Sequence, residues 1–172
     1  MGIGKVFQDV RVFPSLSVID NVVAALQRRA DRSLRASLVN GARNLEAAQK
    51  KAEALLDKVG VEGCRDGPAG ELSWGNQKLL AFARLLAGNF RFVLLDEPAA
   101  GVSPMLGSRL RELIRKLAKE EGVTVALIEH DMAFVRGLAD TVVVLNEGRV
   151  FDQGPASEVL ERPANLELCL GL

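Results

Sequence analysis

Six consecutive residues, Phe92-Val93-Leu94-Leu95-Asp96-Glu97, constrain this chain more than any other stretch. An unbroken apolar run suits a strand buried on both faces, the form strands take in a parallel sheet covered by helices. Two adjacent carboxylates end the run, and Pro98 follows. Ligands of open parallel sheets gather at the carboxyl ends of the strands. There one carboxylate can hold Mg²⁺ and its neighbour can orient or deprotonate a water that attacks a phosphate. The same six residues are also compatible with a strand that turns into solvent through two charges.

The surrounding pattern fits the first of these. Ser103-Pro104 opens a helix that turns Leu106, Leu110, Leu113, Ile114 and Leu117 inward, and Gly122 ends it. Val123–Ile128 reads as a fully apolar strand, Asp131–Leu138 as a short helix, and Thr141–Leu145 as a further strand. Asn146-Glu147-Gly148 then turns the chain back through Arg149–Asp152 as a hairpin. Apolar strands alternating with amphipathic helices predict an α/β domain with a parallel sheet covered on both faces.

The first part of the chain reads as helical. Ser17, with Asp20 three residues on, is a capping-box variant before Val18, Val22, Val23 and Leu26. Residues 27–44 are polar and Arg-rich, holding Arg28, Arg29, Arg32, Arg35 and Arg43, with Asn40-Gly41 as a turn signal. A second helix is expected from Leu45 to Val59, with Leu45, Ala48, Ala52, Leu55, Leu56 and Val59 on one face and Gly60 as its stop. A third is expected from Asn76 to Leu86, ended by Gly88.

Composition excludes several classes. Lys plus Arg equals Asp plus Glu at 22 each, so no global field favours nucleic acid or acidic lipid. Cys64 and Cys169 are isolated, which fits reduced thiols rather than a disulfide or zinc framework. No apolar run approaches the ~18 residues of a membrane helix. A cytoplasmic protein follows as the expectation, with any membrane role reached through a partner.

Two more places carry candidate chemistry. Ser73-Trp74-Gly75 precedes the third helix, which has no acidic residue in its first turn. A hydroxyl, a glycine and free helix-start N–H groups can cradle an anion; an ordinary serine N-cap would explain Ser73 equally well. His130, the chain's only histidine, follows an apolar strand at the expected carboxyl edge of the sheet. An imidazole there can hydrogen-bond a phosphate oxygen or simply serve the structure.

In order, Gln8, Leu72-Ser73-Trp74-Gly75, Asp96-Glu97-Pro98, Ala100-Gly101-Val102-Ser103-Pro104 and His130 resemble the Q-loop, signature, Walker B, D-loop and H-loop of ABC-transporter ATPases. Val6–Pro14 with Val18–Val22, the Arg-rich extension and the leucine-rich tail 165–172 are similar to the branched-chain amino-acid importer subgroup. The resemblance implies a partial P-loop NTPase fold, with a helical, signature-bearing part over about 15–88 and a RecA-like α/β core over about 89–172. It also implies ATP and Mg²⁺ as ligands, Asp96 and Gln8 on the metal, Glu97 as general base and His130 on the γ-phosphate. Ser73, Trp74, Gly75 and Asn76 would close over ATP held by a second ABC ATPase protomer, with Gly101 and Ser103 at the same interface. A membrane-spanning subunit would anchor the pair at the inner face of the membrane, and no nucleic acid is implied.

The sequence departs from the family pattern in places. Asn76 stands where the signature has glutamine, and Trp74 where glycine or an aromatic is usual. Nowhere does a G-x-x-x-x-G-K-[ST] phosphate loop occur. Gly4-Lys5 imitates its end, but Val6 lacks the Mg²⁺-binding hydroxyl, so Gly2–Lys5 reads as the strand leading into the Q-loop. The chain is therefore expected to be a truncated nucleotide-binding domain, inactive alone, that binds ATP weakly or not at all. With the phosphate-loop strand missing from the sheet, a groove or an exposed strand edge is expected. Set against the transporter ATPase are a non-catalytic module for dimerisation or docking and, third, a soluble ABC ATPase of DNA repair or translation.

Overall fold

A computed structural model describes residues 2–6, 10–30, 34–61, 63 and 65–170; side chains are described for the same residues except 28–30, 34–44 and 169–170. Gln8, Cys64 and the side chains of the Arg-rich stretch and of Cys169 thus lie outside the described residues. The elements run β1 (Ile3–Val6), α1 (Val18–Ala30), α2 (Leu34–Val59), a 3₁₀ turn (Ala69–Glu71), α3 (Trp74–Ala87), β2 (Phe92–Asp96) and α4 (Pro104–Lys119). They continue as β3 (Thr124–Ile128), α5 (Met132–Val135), β4 (Thr141–Asn146), β5 (Arg149–Pro155), α6 (Ala156–Val159) and α7 (Pro163–Leu170).

β2 is the middle strand of a three-stranded parallel sheet in the order β1-β2-β3. Ile3 pairs with Phe92 on one side of it, and Phe92 with Thr124 on the other. Val93 and Leu95 point into the core at 2% and 1% exposure. Helix α4 covers them with Leu110, Leu113, Ile114 and Leu117, all buried. Its start follows the sequence expectation: Pro104 occupies the first turn and the Ser103 hydroxyl accepts the Leu106 N–H at 3.3 Å.

The helices α1, α2 and α3 pack on one another, and their buried residues belong to the same core as the sheet. The cap of α1 forms as expected, Ser17 Oγ accepting the Asp20 N–H at 3.0 Å and donating to Asp20 Oδ2 at 2.7 Å. Asn21, fully buried, closes the preceding turn by accepting the Phe13 N–H at 2.8 Å and donating to the carbonyls of Phe13, Leu16 and Ser17.

Several expectations need correction. Helix α2 begins at Leu34 and runs through Asn40-Gly41 without turning. One glycine in a helix costs about 1 kcal/mol, which the helix-forming Ala, Leu, Arg and Glu around it outweigh. Leu45, expected to face inward, is 42% exposed. Helix α5 is one turn long rather than extending to Leu138, because it starts from the Asp131 cap and stops at Arg136.

The largest correction concerns the sheet. Among the described residues β4 does not join it and pairs only with β5, antiparallel, in a separate ribbon. Glu147 and Gly148 both have positive φ (48° and 73°), the two-residue turn whose twist matches a hairpin. Among the described residues β3 pairs with β2 alone, and it is not fully covered: Ile128 is 63% exposed. Val143, Leu145, Val150 and Phe151 of the ribbon are also half or more exposed. Thus a free strand edge and an uncovered apolar ribbon follow β2 in the fold.

Candidate functional site at the carboxyl edge of the sheet

The parallel register brings the carboxyl ends of β2 and β3 level, with Asp96 opposite Ile128. The residues just beyond those ends must therefore share one rim. Glu97 bends away in the left-handed region (φ 45°), held there in part by its N–H donating to the Ile128 carbonyl at 2.9 Å. A non-glycine residue in that conformation stores of order 1 kcal/mol of strain, and such residues concentrate at functional sites. His130 Nδ1 lies 3.6 Å from Glu97 Oε1, just beyond hydrogen-bond reach. The imidazole is largely exposed, while the Glu97 carboxylate is 27% exposed. Asp96, half-buried at the end of β2, adds a second carboxylate.

Mg²⁺ binds through one or two carboxylates plus substrate phosphates and keeps several waters. Among the described residues no group of three or more His, Cys, Asp or Glu side chains forms a cage. Asp96 thus fits one arm of a Mg²⁺–phosphate complex and not a complete metal shell.

The signature segment sits against the same rim. Ser73 caps α3, its hydroxyl accepting the Asn76 N–H at 3.3 Å, so the N-cap reading of Ser73 holds and uses one of the helix-start donors. Gly75 begins the helix so close to α4 that a Cβ there would meet Leu106 Cδ2 at 2.5 Å. Trp74 lies beside Gly101, whose φ of 69° belongs to the left-handed region. Ser103, just beyond, caps α4. The structure therefore brings Asp96, Glu97 and His130 to one rim, and sets Trp74 and Gly75 against the segment of Gly101 and Leu106, with Ser73 and Ser103 capping the two helices that meet there; Gln8 is outside the described residues.

Two residues escaped the sequence reading. Glu129 Oε1 accepts the Ala99 N–H at 2.9 Å, tying the loop after β2 to the end of β3. Lys78, only 7% exposed, reaches from α3 to the carbonyl oxygens of Glu97, Pro98 and Ala100. Burial pulls its pKa below the usual lysine value, against an opposing pull from Glu129 and Glu97. A lysine on the otherwise apolar face of a predicted helix was the available signal.

A parallel sheet with an Asp-Glu strand end, a histidine beyond the next strand and a capped serine-glycine helix start is the architecture of nucleotide-hydrolysing ATP-binding cassettes. The fold agrees: a dimeric ATP-binding cassette solved with ADP and Pi superposes with a TM-score of 0.75 at 27% identity, over 90% of this chain and 62% of that one. A second cassette, cbiO1 from Clostridium perfringens, gives 0.73 at 30% identity, over 98% and 62%. The ABC transporter family profile matches residues 1–100, and the chain belongs to that family. Among its relatives are the high-affinity branched-chain amino acid transport ATP-binding proteins BraF of Pseudomonas aeruginosa, 34% identical over 173 residues, and LivG of Escherichia coli, 32% identical over 174. Each alignment takes in 99% of this chain and 68% of the relative, so the chain spans about two thirds of the relatives' length.

Proposed function

We propose that this chain is the part of an amino-acid importer's ATPase subunit that carries the signature and the hydrolytic carboxylate. The apposition of Glu97 and His130 at the sheet's carboxyl edge carries the reading. In it, Asp96 and Gln8 would hold Mg²⁺, which would supply neutralisation of phosphate charge. Glu97 takes a proton from the attacking water, and His130 donates a hydrogen bond to the γ-phosphate. Ser73, Trp74, Gly75 and Asn76 face ATP gripped by a second protomer, with Gly101 and Ser103 at that interface. The work divides between a helical part over about 15–88 and an α/β part over about 89–172. No helix among the described residues is long and apolar enough to cross a membrane, so attachment to the cytoplasmic face runs through a membrane-spanning subunit. The sequence similarity to BraF and LivG supports amino acids as cargo.

Purified with its membrane subunits and second ATPase protomer, the complex should hydrolyse ATP, and Glu97→Gln should lower kcat by about 10²–10⁴-fold. Turnover indifferent to Glu97 would reject the reading. The chain alone, lacking a G-x-x-x-x-G-K-[ST] segment, should bind a labelled ATP analogue no tighter than millimolar; micromolar binding would contradict this. That same lack favours the second reading, a non-catalytic docking module, which gains if the complex forms but shows no Glu97-dependent turnover.

A further inference from the structure

The ammonium of Lys78 is spent entirely on one loop. Its Nζ donates to the carbonyl oxygens of Ala100 at 2.5 Å, Pro98 at 3.2 Å and Glu97 at 3.4 Å. A lysine has three N–H donors, and three carbonyls take them. The side chain is 7% exposed, and the Trp74 ring lies 5.9 Å from its charge. A buried charge is expensive unless it is paired and hydrogen-bonded, and a helix of this amphipathic kind would pack as well with leucine there. The loop it holds contains Glu97, whose backbone is in the left-handed region. The two peptide groups flanking Glu97 are gripped from opposite sides: its N–H by the Ile128 carbonyl, its C=O by Lys78. Glu129 grips the same loop at the Ala99 N–H.

We infer that Lys78 is a positioning residue that locks the 97–100 loop, aims the Glu97 carboxylate at His130, and joins that aim to the signature end of α3. The inference rests on the catalytic reading of Glu97 for its consequence, but not for its geometry. The hydrogen bonds of Lys78 go to backbone carbonyls of the loop, so it acts through Glu97. Because Lys78 shares a helix with Ser73, Trp74 and Gly75, displacement of α3 moves the loop with it. The signature and the general base therefore shift as one body.

Two measurements test this separately. In the chain alone, Lys78→Met should speed hydrogen exchange at the Ala99 and Ala100 amides by about 10-fold while leaving Leu80 and Ala83 within α3 unchanged. Lys78→Arg, which keeps charge and donors, should restore most of the protection. Should the Met variant fail to fold, Lys78→Gln, which retains an amide donor, carries the same comparison. Unchanged loop exchange, or exchange raised equally along α3, would overturn the inference in favour of simple packing. In an assembled complex with Glu97-dependent turnover, Lys78→Met should lower kcat by roughly 10²-fold with KM for ATP little altered, again rescued by Arg. An equal loss in the Arg variant, or an effect confined to KM, would overturn it. If Glu97→Gln is silent, the catalytic reading fails while the exchange result still stands on its own.

Discussion

Two buried or half-buried polar side chains show how single residues hold this fold. Asn21 satisfies four partners in one turn, and Asn21→Ala leaves the Phe13 N–H without its acceptor, while the carbonyls of Phe13, Leu16 and Ser17 keep backbone donors. Denaturant unfolding should show a loss of about 1–3 kcal/mol, and a change under half of that would mean water replaces the amide. Asp152 accepts from Asn165 Nδ2 at 2.7 Å and pairs with Arg162, and these hydrogen bonds hold its carboxyl below the usual carboxylate range. Its folded-state pKa is depressed, so its contribution is complete above the ordinary value of ~3.9 and is lost as pH falls through the folded-state value. Asp152→Asn should therefore flatten the acid limb of a stability-against-pH curve below about pH 4 and leave its slope near neutrality alone. A curve with unchanged acid slope would show that the carboxyl is not linked to folding.

At the scale of elements, the caps and turns carry the predictable energies. The hairpin places Glu147, a non-glycine residue, at φ 48°, a conformation asparagine adopts far more readily. Glu147→Asn should stabilise by about 0.5–1 kcal/mol and raise Tm by roughly 1–4 °C in a chain of this size. No gain in a thermal melt would mean the ribbon unfolds before the rest. That outcome is a real alternative, since Val144, Ala156, Val159 and Leu160 of this unit stand outside the main core. The ion pairs that tether the unit, Lys119 with Asp140 and Arg136 with Glu161, are exposed and hold it weakly.

On the scale of the whole molecule, the edge of β3 left unpaired among the described residues bears on association in solution. Among the described residues the outer edge of β3 has no partner strand and carries exposed Ile128, a template for pairing with another chain. Sedimentation of the chain alone should show concentration-dependent association, and Ile128→Lys should reduce it with little change in Tm. Association untouched by charge at Ile128 would place the contact elsewhere.

What the sequence determined by itself is everything set by short-range physics. β2 was legible from Phe92 to Asp96 because an apolar run between loops has few alternatives, and Ser17, Ser103 and Glu147-Gly148 were legible because caps and tight turns are written within a few residues. The meeting of Glu97 and His130 was legible too, since each follows a strand that had to be parallel to its neighbour. Strand order was not. Only tertiary packing placed β1, from the chain's first residues, beside β2 and kept β4 out of the sheet, because pairing between distant segments leaves no local pattern. Lys78 was hidden for the same reason: its meaning lies in three carbonyl groups of a loop far along the chain, which become its neighbours only after α3 docks against the sheet's edge.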